Sequence, residues 1–521
     1  AQNIPQYSTR DKDYLLAPEK FSDFINKLPE ISSFGELIQQ RLKFHTNRTL
    51  LEQVAKEQYA GKDSSATTLK YLDQLSEANS FTVTTAHQPS LMTGPLYYCF
   101  KILSTIRLAE ELRNQHPAYN IIPVFILGGE DHDFDEINHF IVFGKELSWK
   151  RDASGAVGRL SLDGLEEIVK SLAEILGEKT QVKDLIHELQ NDLKHSKNYG
   201  EFAFSLTHWL FDHLGIVILR MDSPAFKKEF RPLIREEIFN NPSQALIEDT
   251  QSELESLGYD KQAYAREINF FYHCEAGRKR INQEGEKYLV KDTDISFTSK
   301  ELESAINSQP EAFSPNVVMR PLYQELILPN LAYVGGGGEL AYWMERKSQF
   351  KHFEIPFPML VRRKSGMIMK DRQIKQIQAL GLDMLDFFNA EHIIIDKYLK
   401  HSDQPDFSLI EFENEAENLF GKIEEIIKSI DTTLVKTNQS ELAKTKKSIQ
   451  YLESKLKKSV KQKEEVQLNR IRKIRDKLFP GGLQERHDNI FEYLSTEGKG
   501  LFDSMLPYMN PMQREFLVFI L

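Results

Sequence analysis

FTVTTAHQPSLMTGP at residues 81–95 and IIPVFILGGEDHDFDEINH at residues 121–139 decide the fold. Phe81–Ala86 is short and rich in Thr and Val, the composition of a strand. A polar turn follows at His87-Gln88-Pro89-Ser90. Thr93-Gly94-Pro95 then opens a helix, with proline in the first turn, where its missing N–H costs nothing. The helix is predicted from about Leu96 to Asn114. Ile121–Leu127 is an apolar, β-branched run of the kind buried on both faces of a sheet. Strand, helix, strand over this length is a right-handed parallel unit.

Two more runs extend the pattern. Gly215–Met221 ends at Asp222-Ser223-Pro224, where a serine cap and a proline start a helix. Met359–Arg362 follows the turns at Pro356 and Pro358. Strands alternating with helices predict an α/β, doubly wound parallel sheet. Residues 13–80 read as an amphipathic helical preface. Residues 155–210 and 230–345 read as insertions, so that 1–390 is one core and 391–521 a separate arm and returning tail.

The last quarter changes character. Ala416, Leu419, Ile423, Ile426 and Ile430 recur at spacings of three and four, and Leu442, Ile449, Leu452 and Leu456 fit a second heptad frame. This predicts an antiparallel coiled-coil hairpin over 411–478, turning at Thr437-Asn438-Gln439-Ser440. Pro480-Gly481-Gly482 should stop the second helix. Glu441–Leu478 carries thirteen Lys or Arg against five Asp or Glu. Tyr451 is the lone aromatic there, so the basic stretch reads as a solvated face rather than an RNA-binding arm. The apolar end, Phe516–Leu521, is expected to dock in a core.

Composition narrows the classes. The chain has 521 residues, 40% hydrophobic and 27% charged, with a formal net charge of −11. Such a balance argues against disorder and against gripping nucleic acid with the whole chain. The two cysteines, Cys99 and Cys274, form neither a disulfide framework nor a zinc cluster and read as structural. No run approaches the ~20 apolar residues that span a bilayer, and the polar start lacks a signal core. The expectation is a cytoplasmic protein.

Three polar clusters carry the chemistry. Glu130, Asp131, His132 and Asp133 follow a buried strand, where open α/β sheets bind ligands. Such a density of ionisable groups suits proton transfer. The spacing fits no zinc motif, so a metal-free polar site is favoured; a nucleotide-borne Mg2+ would need only one or two of these carboxylates. His87 and Gln88, with Thr93, Gly94 and Lys101, join a strand end to a helix N-terminus, a natural phosphate or carboxylate site. Gly335–Gly338, before Glu339, Tyr342 and Trp343, lets backbone approach a ligand. Arg278, Arg280, Arg320, Arg362 and Arg363 are candidate carboxylate clamps.

These clusters resemble the signatures of one family. HQPSLMTGPLY (87–97), GEDHDF (129–134) continuing to EINH (136–139), RPLYQE (320–325) with the Gly335–Trp343 run, and LFPGGLQER (478–486) occur together and in order. The chain is identified as a member of the bacillithiol-synthesis cysteine-adding enzymes. The resemblance implies a Rossmann-like core with connecting-peptide insertions, reminiscent of class I aminoacyl-tRNA synthetases, and a coiled-coil arm used for dimerisation. His87-Gln88 with Gly94 stands where those enzymes carry a His-rich nucleotide signature; its second histidine is absent here. Arg362-Arg363-Lys364-Ser365 takes the place of a mobile basic loop.

The implied activity is a ligase joining L-cysteine to glucosaminyl-malate, the last step to bacillithiol. A carboxylate is a poor acyl donor, so ATP or another nucleotide, with or without Mg2+, is expected to activate cysteine. The expected catalytic residues are His87, Glu130, Asp131, His132 and Asp133, with Asp131 or Asp133 as proton acceptor. Gln88, Thr93, Gly94, Lys101 and Lys364 would hold the nucleotide; Arg320, Gly336, Gly337, Glu339 and Tyr342 the substrate. The partners are cysteine, glucosaminyl-malate and a second copy of the chain, with no nucleic acid or membrane. The alternative is a non-catalytic scaffold that recruits a cysteine-activating partner.

Overall fold

A computed structural model describes residues 4–153, 155–401 and 408–521. The chain divides into two compact units, one built from Gln6–Met367 and Gly482–Phe519, the other chiefly from Ile368–Gly481.

The first unit is organised by a parallel sheet of five strands. They are β1 (Ser80–His87), β2 (Asn120–Leu127), β3 (Val217–Arg220), β4 (Asn330–Gly335) and β5 (Met359–Arg362), in the spatial order β5-β4-β1-β2-β3. Every residue from Ile121 to Leu127 is buried, and full burial of each Ile, Val or Phe stabilises by about 1.5–3 kcal/mol. Pro123 lies outside the Val124–Leu127 stretch that pairs with β3, so its missing N–H costs no ladder bond there. Helix α1 (Tyr97–Gln115) links β1 to β2. Its apolar side packs with Phe81, Val83, Leu331 and Val334 in one core cluster.

β4 is the strand that periodicity did not reveal. NLAYVG lies inside the stretch read as an insertion, yet it pairs with both β1 and β5 and is wholly buried. Asn330 explains the difference. Its Oδ1 accepts from Thr84 Oγ1 at 2.9 Å, and its Nδ2 donates to Glu325 at 2.7 Å, so a residue that reads as a turn former satisfies a buried polar network.

Between β3 and β4 lies a second, antiparallel sheet. Its order is Phe313–Pro315, Phe270–Cys274, Gly277–Glu284, Lys287–Val290, Ser296–Thr298. The C-terminal strand Phe516–Ile520 pairs with Ser365–Met369 and is half-buried. The tail is thus satisfied as a paired strand rather than sunk in a core.

The second unit contains the helical hairpin. Helix α2 (Ile410–Ile430) and helix α3 (Val435–Lys463) run antiparallel, and α4 (Glu465–Leu478) continues to the stop before Pro480-Gly481. Asn438 donates to Phe420 O at 3.0 Å, Lys446 pairs with Glu417, and Gln450 reaches Glu413 at 3.2 Å. Partners fall on one helix as they climb on the other, which fixes the direction. The turn sits earlier than the sequence suggested. Asp431 Oδ1 accepts from Thr433 N at 2.9 Å and closes the turn, while Thr437–Ser440 lies inside α3. Two helices cover only one flank of each other. Ala416 is buried, but Leu419, Ile426, Ile430 and Leu452 are exposed. No helix among the described residues is long and apolar enough to cross a membrane.

Candidate active site

A cavity of about 700 Å3 opens at the carboxyl ends of all five strands. Its walls include Ala86 and His87 of β1, Ile126 and Leu127 of β2, Met221 and Asp222 beyond β3, Gly336 beyond β4, and Arg363 beyond β5. Such an edge is where open α/β sheets bind ligands. The β1–β2 register sets His87 opposite Leu127, so the two following loops leave the sheet side by side. They meet where Gln88 Nε2 donates to Asp131 Oδ2 at 2.9 Å.

Most of the cavity's charge is already matched. Lys227, fully buried on the helix Pro224–Asn240, donates to both oxygens of Glu130, at 2.7 and 3.0 Å. Burial alone would raise the Glu130 pKa, but Lys227 prevails and holds it at about 2. Glu339 repeats the arrangement. Burial opposes its ionisation, yet Lys101 at 2.7 Å holds its pKa at about 2. Glu339 also accepts from Gly336 N at 2.9 Å and Tyr333 Oη at 2.7 Å, which closes the glycine-rich turn on itself. Lys101 is therefore a strut within the wall, donating also to Ala86 O at 2.8 Å, rather than a spare phosphate-binding cation. Arg278 Nη1, from the antiparallel sheet, lies 3.4 Å from Asp131 Oδ1 and 2.9 Å from His132 Nδ1. Burial works to raise the Asp131 pKa, but His132 and Arg278 together hold it well below the usual carboxylate range.

His87 lines the cavity with its ring stacked on Tyr97, centroids 5.3 Å apart. Burial and then Lys101 push its pKa down to about 3, so the imidazole is neutral at pH 7. Its Nε2 has no hydrogen-bond partner among the described residues. Arg320 donates to Tyr342 Oη at 3.1 Å, and both line the cavity with Gly336 and Gly337. Gly337 is required by packing, because a Cβ there would lie 2.5 Å from the Asp11 carboxyl carbon.

Five predicted site residues do not line the cavity. His132 and Asp133 face solvent beyond the Asp131 turn. Thr93 and Gly94 lie buried beneath the wall, in a turn where Met92, Thr93 and Gly94 have φ of 48°, 68° and 62°. Left-handed geometry is costly for a β-branched residue, and Asn489 holds it by donating to Met92 O and Gly94 O, each at 2.7 Å. A Cβ at Gly94 would meet Ser90 Cβ at 2.8 Å. Lys364 pairs with Glu515 at 2.9 Å. Arg362 and Arg363 are bound to Asp11 and Glu485, at 2.8 and 2.9 Å, so the stretch read as a mobile basic loop is a tethered strand connection.

Several residues enter the site without a sequence signal of their own. Lys227 comes from the helix that follows β3, while Arg278, already a candidate clamp by residue type, comes from the inserted antiparallel sheet. Glu136 and Arg486 reach the cavity from stretches quoted for other reasons. Glu485 of the LFPGGLQER stretch braces Arg363, and Asn489, three residues beyond its end, braces the turn after β1. Among the described residues, no group of three or more His, Cys, Asp and Glu is placed to hold a metal ion.

Comparison with known proteins bears on this arrangement. The family model "Bacillithiol biosynthesis BshC, N-terminal Rossmann-like domain" matches residues 3–364, and "Bacillithiol biosynthesis BshC, C-terminal coiled-coil domain" matches 366–521. A relative from Christiangramia forsetii, named "Putative cysteine ligase BshC", is 34% identical over 97% of this chain and 95% of its own. Relatives of the same name from Flavobacterium johnsoniae and Bacillus mycoides are 34% identical over 99% and 98%, and 30% identical over 95% and 92%, of the two chains.

Proposed function

The chain belongs to the BshC family of bacillithiol biosynthesis, and on that premise we propose that it joins L-cysteine to glucosaminyl-malate as the last step to bacillithiol. The observation that carries the reading is the state of the cavity's cations. Of Lys101, Arg278, Arg320, Arg363 and Arg486, three are ion-paired within the wall, while Arg320 and Arg486 have no carboxylate partner among the described residues. Two unpaired guanidinium groups in one cavity suit an anionic substrate, because planar guanidinium binds carboxylate and phosphate through paired hydrogen bonds. Malate supplies two carboxylates.

The bond to be made is an amide between the cysteine carboxyl and the glucosamine amine. A nucleoside triphosphate converts the carboxylate to an acyl phosphate or acyl adenylate, which the amine attacks. Magnesium carried with the nucleotide would draw most of its ligands from phosphate and water. Arg320, held by Tyr342, and Arg486 at the rim would position the anionic groups, and neutral His87 would offer a hydrogen bond without adding charge. The apolar flank of the hairpin supports a homodimer. Two unpaired cysteines suit a reducing cytoplasm.

A thiol profile of a strain lacking the gene tests the reading. Bacillithiol should vanish while glucosaminyl-malate accumulates. Undiminished bacillithiol, in a strain without a second copy of the gene, would count against it.

A further inference from the structure

Five carboxylates line the cavity: Glu130, Asp131, Glu136, Asp222 and Glu339. Four are matched by a cation. Lys227 holds Glu130 at 2.7 Å, Arg278 holds Asp131 at 3.4 Å, Arg220 holds Asp222 at 3.1 Å and Lys101 holds Glu339 at 2.7 Å. Glu136 has no cationic partner among the described residues, and the neutral amide of Gln88, which donates to Asp131, is the side chain that acts to lower its pKa. The sequence pointed to Asp131 or Asp133 as proton acceptor. Asp131 is engaged by Arg278 and Gln88, and Asp133 lies outside the cavity.

We propose that Glu136 is the general base of the ligation, accepting a proton from the ammonium of the amino sugar; the assignment rests on the ligase reading above. A carboxylate clamped by a lysine is too weak a base for an ammonium, whereas one with a free lone pair and raised proton affinity is suited to it. Glu136 has that character: burial, then Asp133 and Asp131, raise its pKa. Its place in the cavity also fits. Glu136 and Arg486 both line the same cavity as Tyr97. A substrate that meets Arg486 through malate and Glu136 through its amine would lie within this one cavity.

The step balances as follows. The ammonium gives one proton to a Glu136 oxygen. The freed amine forms an N–C bond to the carbonyl carbon of activated cysteine. The C–O bond to phosphate or AMP breaks, and the second N–H proton leaves with that departing group.

The test is steady-state kinetics from pH 6 to 9 with cysteine, ATP and glucosaminyl-malate, on wild type, Glu136→Gln and Glu136→Asp. Glu136 faces solvent, so the variants should fold, and matching thermal midpoints check this. Glu136→Gln should lose ~10²-fold in kcat near neutrality, the scale of general-base catalysis, with KM for the sugar within about twofold. The deficit should shrink at high pH, where the amine is free without help. Glu136→Asp should recover part of the rate and keep an acid limb. Wild-type kcat in Glu136→Gln at every pH, or a loss confined to KM, overturns the assignment while leaving the ligase reading intact. A wild-type protein that forms no product overturns both.

Discussion

Gln88 Nε2 donates to Asp131 Oδ2 at 2.9 Å, and this one bond ties the loop after β1 to the loop after β2. The other Asp131 oxygen faces Arg278 from the inserted sheet. Asp131 is therefore a junction of three segments, and its low proton affinity suits a fixed anion. Asp131→Asn should lower kcat by about 10- to 100-fold, as loss of an orienting partner does. The shape of the pH profile should not change. A displaced acid limb in this variant would mean that Asp131 itself carries the proton.

Arg486 is exposed at the cavity rim and has no ion-pair partner among the described residues. A charge-assisted hydrogen bond is worth about 1.5–3 kcal/mol, so Arg486→Ala should raise KM for glucosaminyl-malate about 10- to 100-fold. KM for cysteine should barely change. Glucosamine without malate, tested as an alternative acceptor, should show little difference between wild type and variant. Equal losses for both acceptors would remove malate recognition from this residue.

Stability should carry a pH signature from Glu237, which is buried with no ion-pair partner among the described residues. Ser243 Oγ donates to it at 2.5 Å and Asn269 Nδ2 at 2.7 Å, and burial pushes its pKa up to about 7 from an ordinary 4.5. Below 4.5 folded and unfolded chains both hold the proton. Between 4.5 and about 7 only the folded chain does, so Glu237 makes stability fall as pH climbs through that window and then level off. Glu237→Gln should flatten this part of a Tm-against-pH curve. An unchanged slope would show that the carboxyl ionises as readily folded as unfolded.

The hairpin leaves Ile426 60% and Ile430 80% exposed. Burying such a flank favours association, and a twofold dimer is the commonest closed assembly. Sedimentation equilibrium should give a dimer for wild type, and Leu419→Asp with Ile426→Asp should shift it to monomer. A wild-type monomer at every concentration would contradict this.

The sequence was legible where apolar runs meet polar turns. Phe81–Ala86 and Ile121–Leu127 announce parallel strands because both faces are buried, and the polar loops after them fall at the binding edge for the same reason. The hairpin was legible from its heptads, but its turn was not. An Asp431 side chain closes that turn without glycine or proline, so nothing in the local composition marked it. β4 was hidden because its first residue, Asn330, is satisfied by Thr84 of the distant β1 and by Glu325 of the helix just before it. The site followed the same division. His87, Glu130 and Arg320 stood out by type and position. Which acid stays unpaired depends on Lys227, Arg278, Arg220 and Lys101, a pairing set by tertiary packing and invisible in spacing.

The most direct test of the whole account is product formation by the purified protein. Cysteine, glucosaminyl-malate and a nucleoside triphosphate with magnesium would be supplied, and bacillithiol measured by mass spectrometry against an Arg320→Ala, Arg486→Ala control. The account predicts bacillithiol in stoichiometric step with nucleotide cleavage, and a severe loss in the control. No bacillithiol from folded wild-type protein under any nucleoside triphosphate and divalent cation would contradict it.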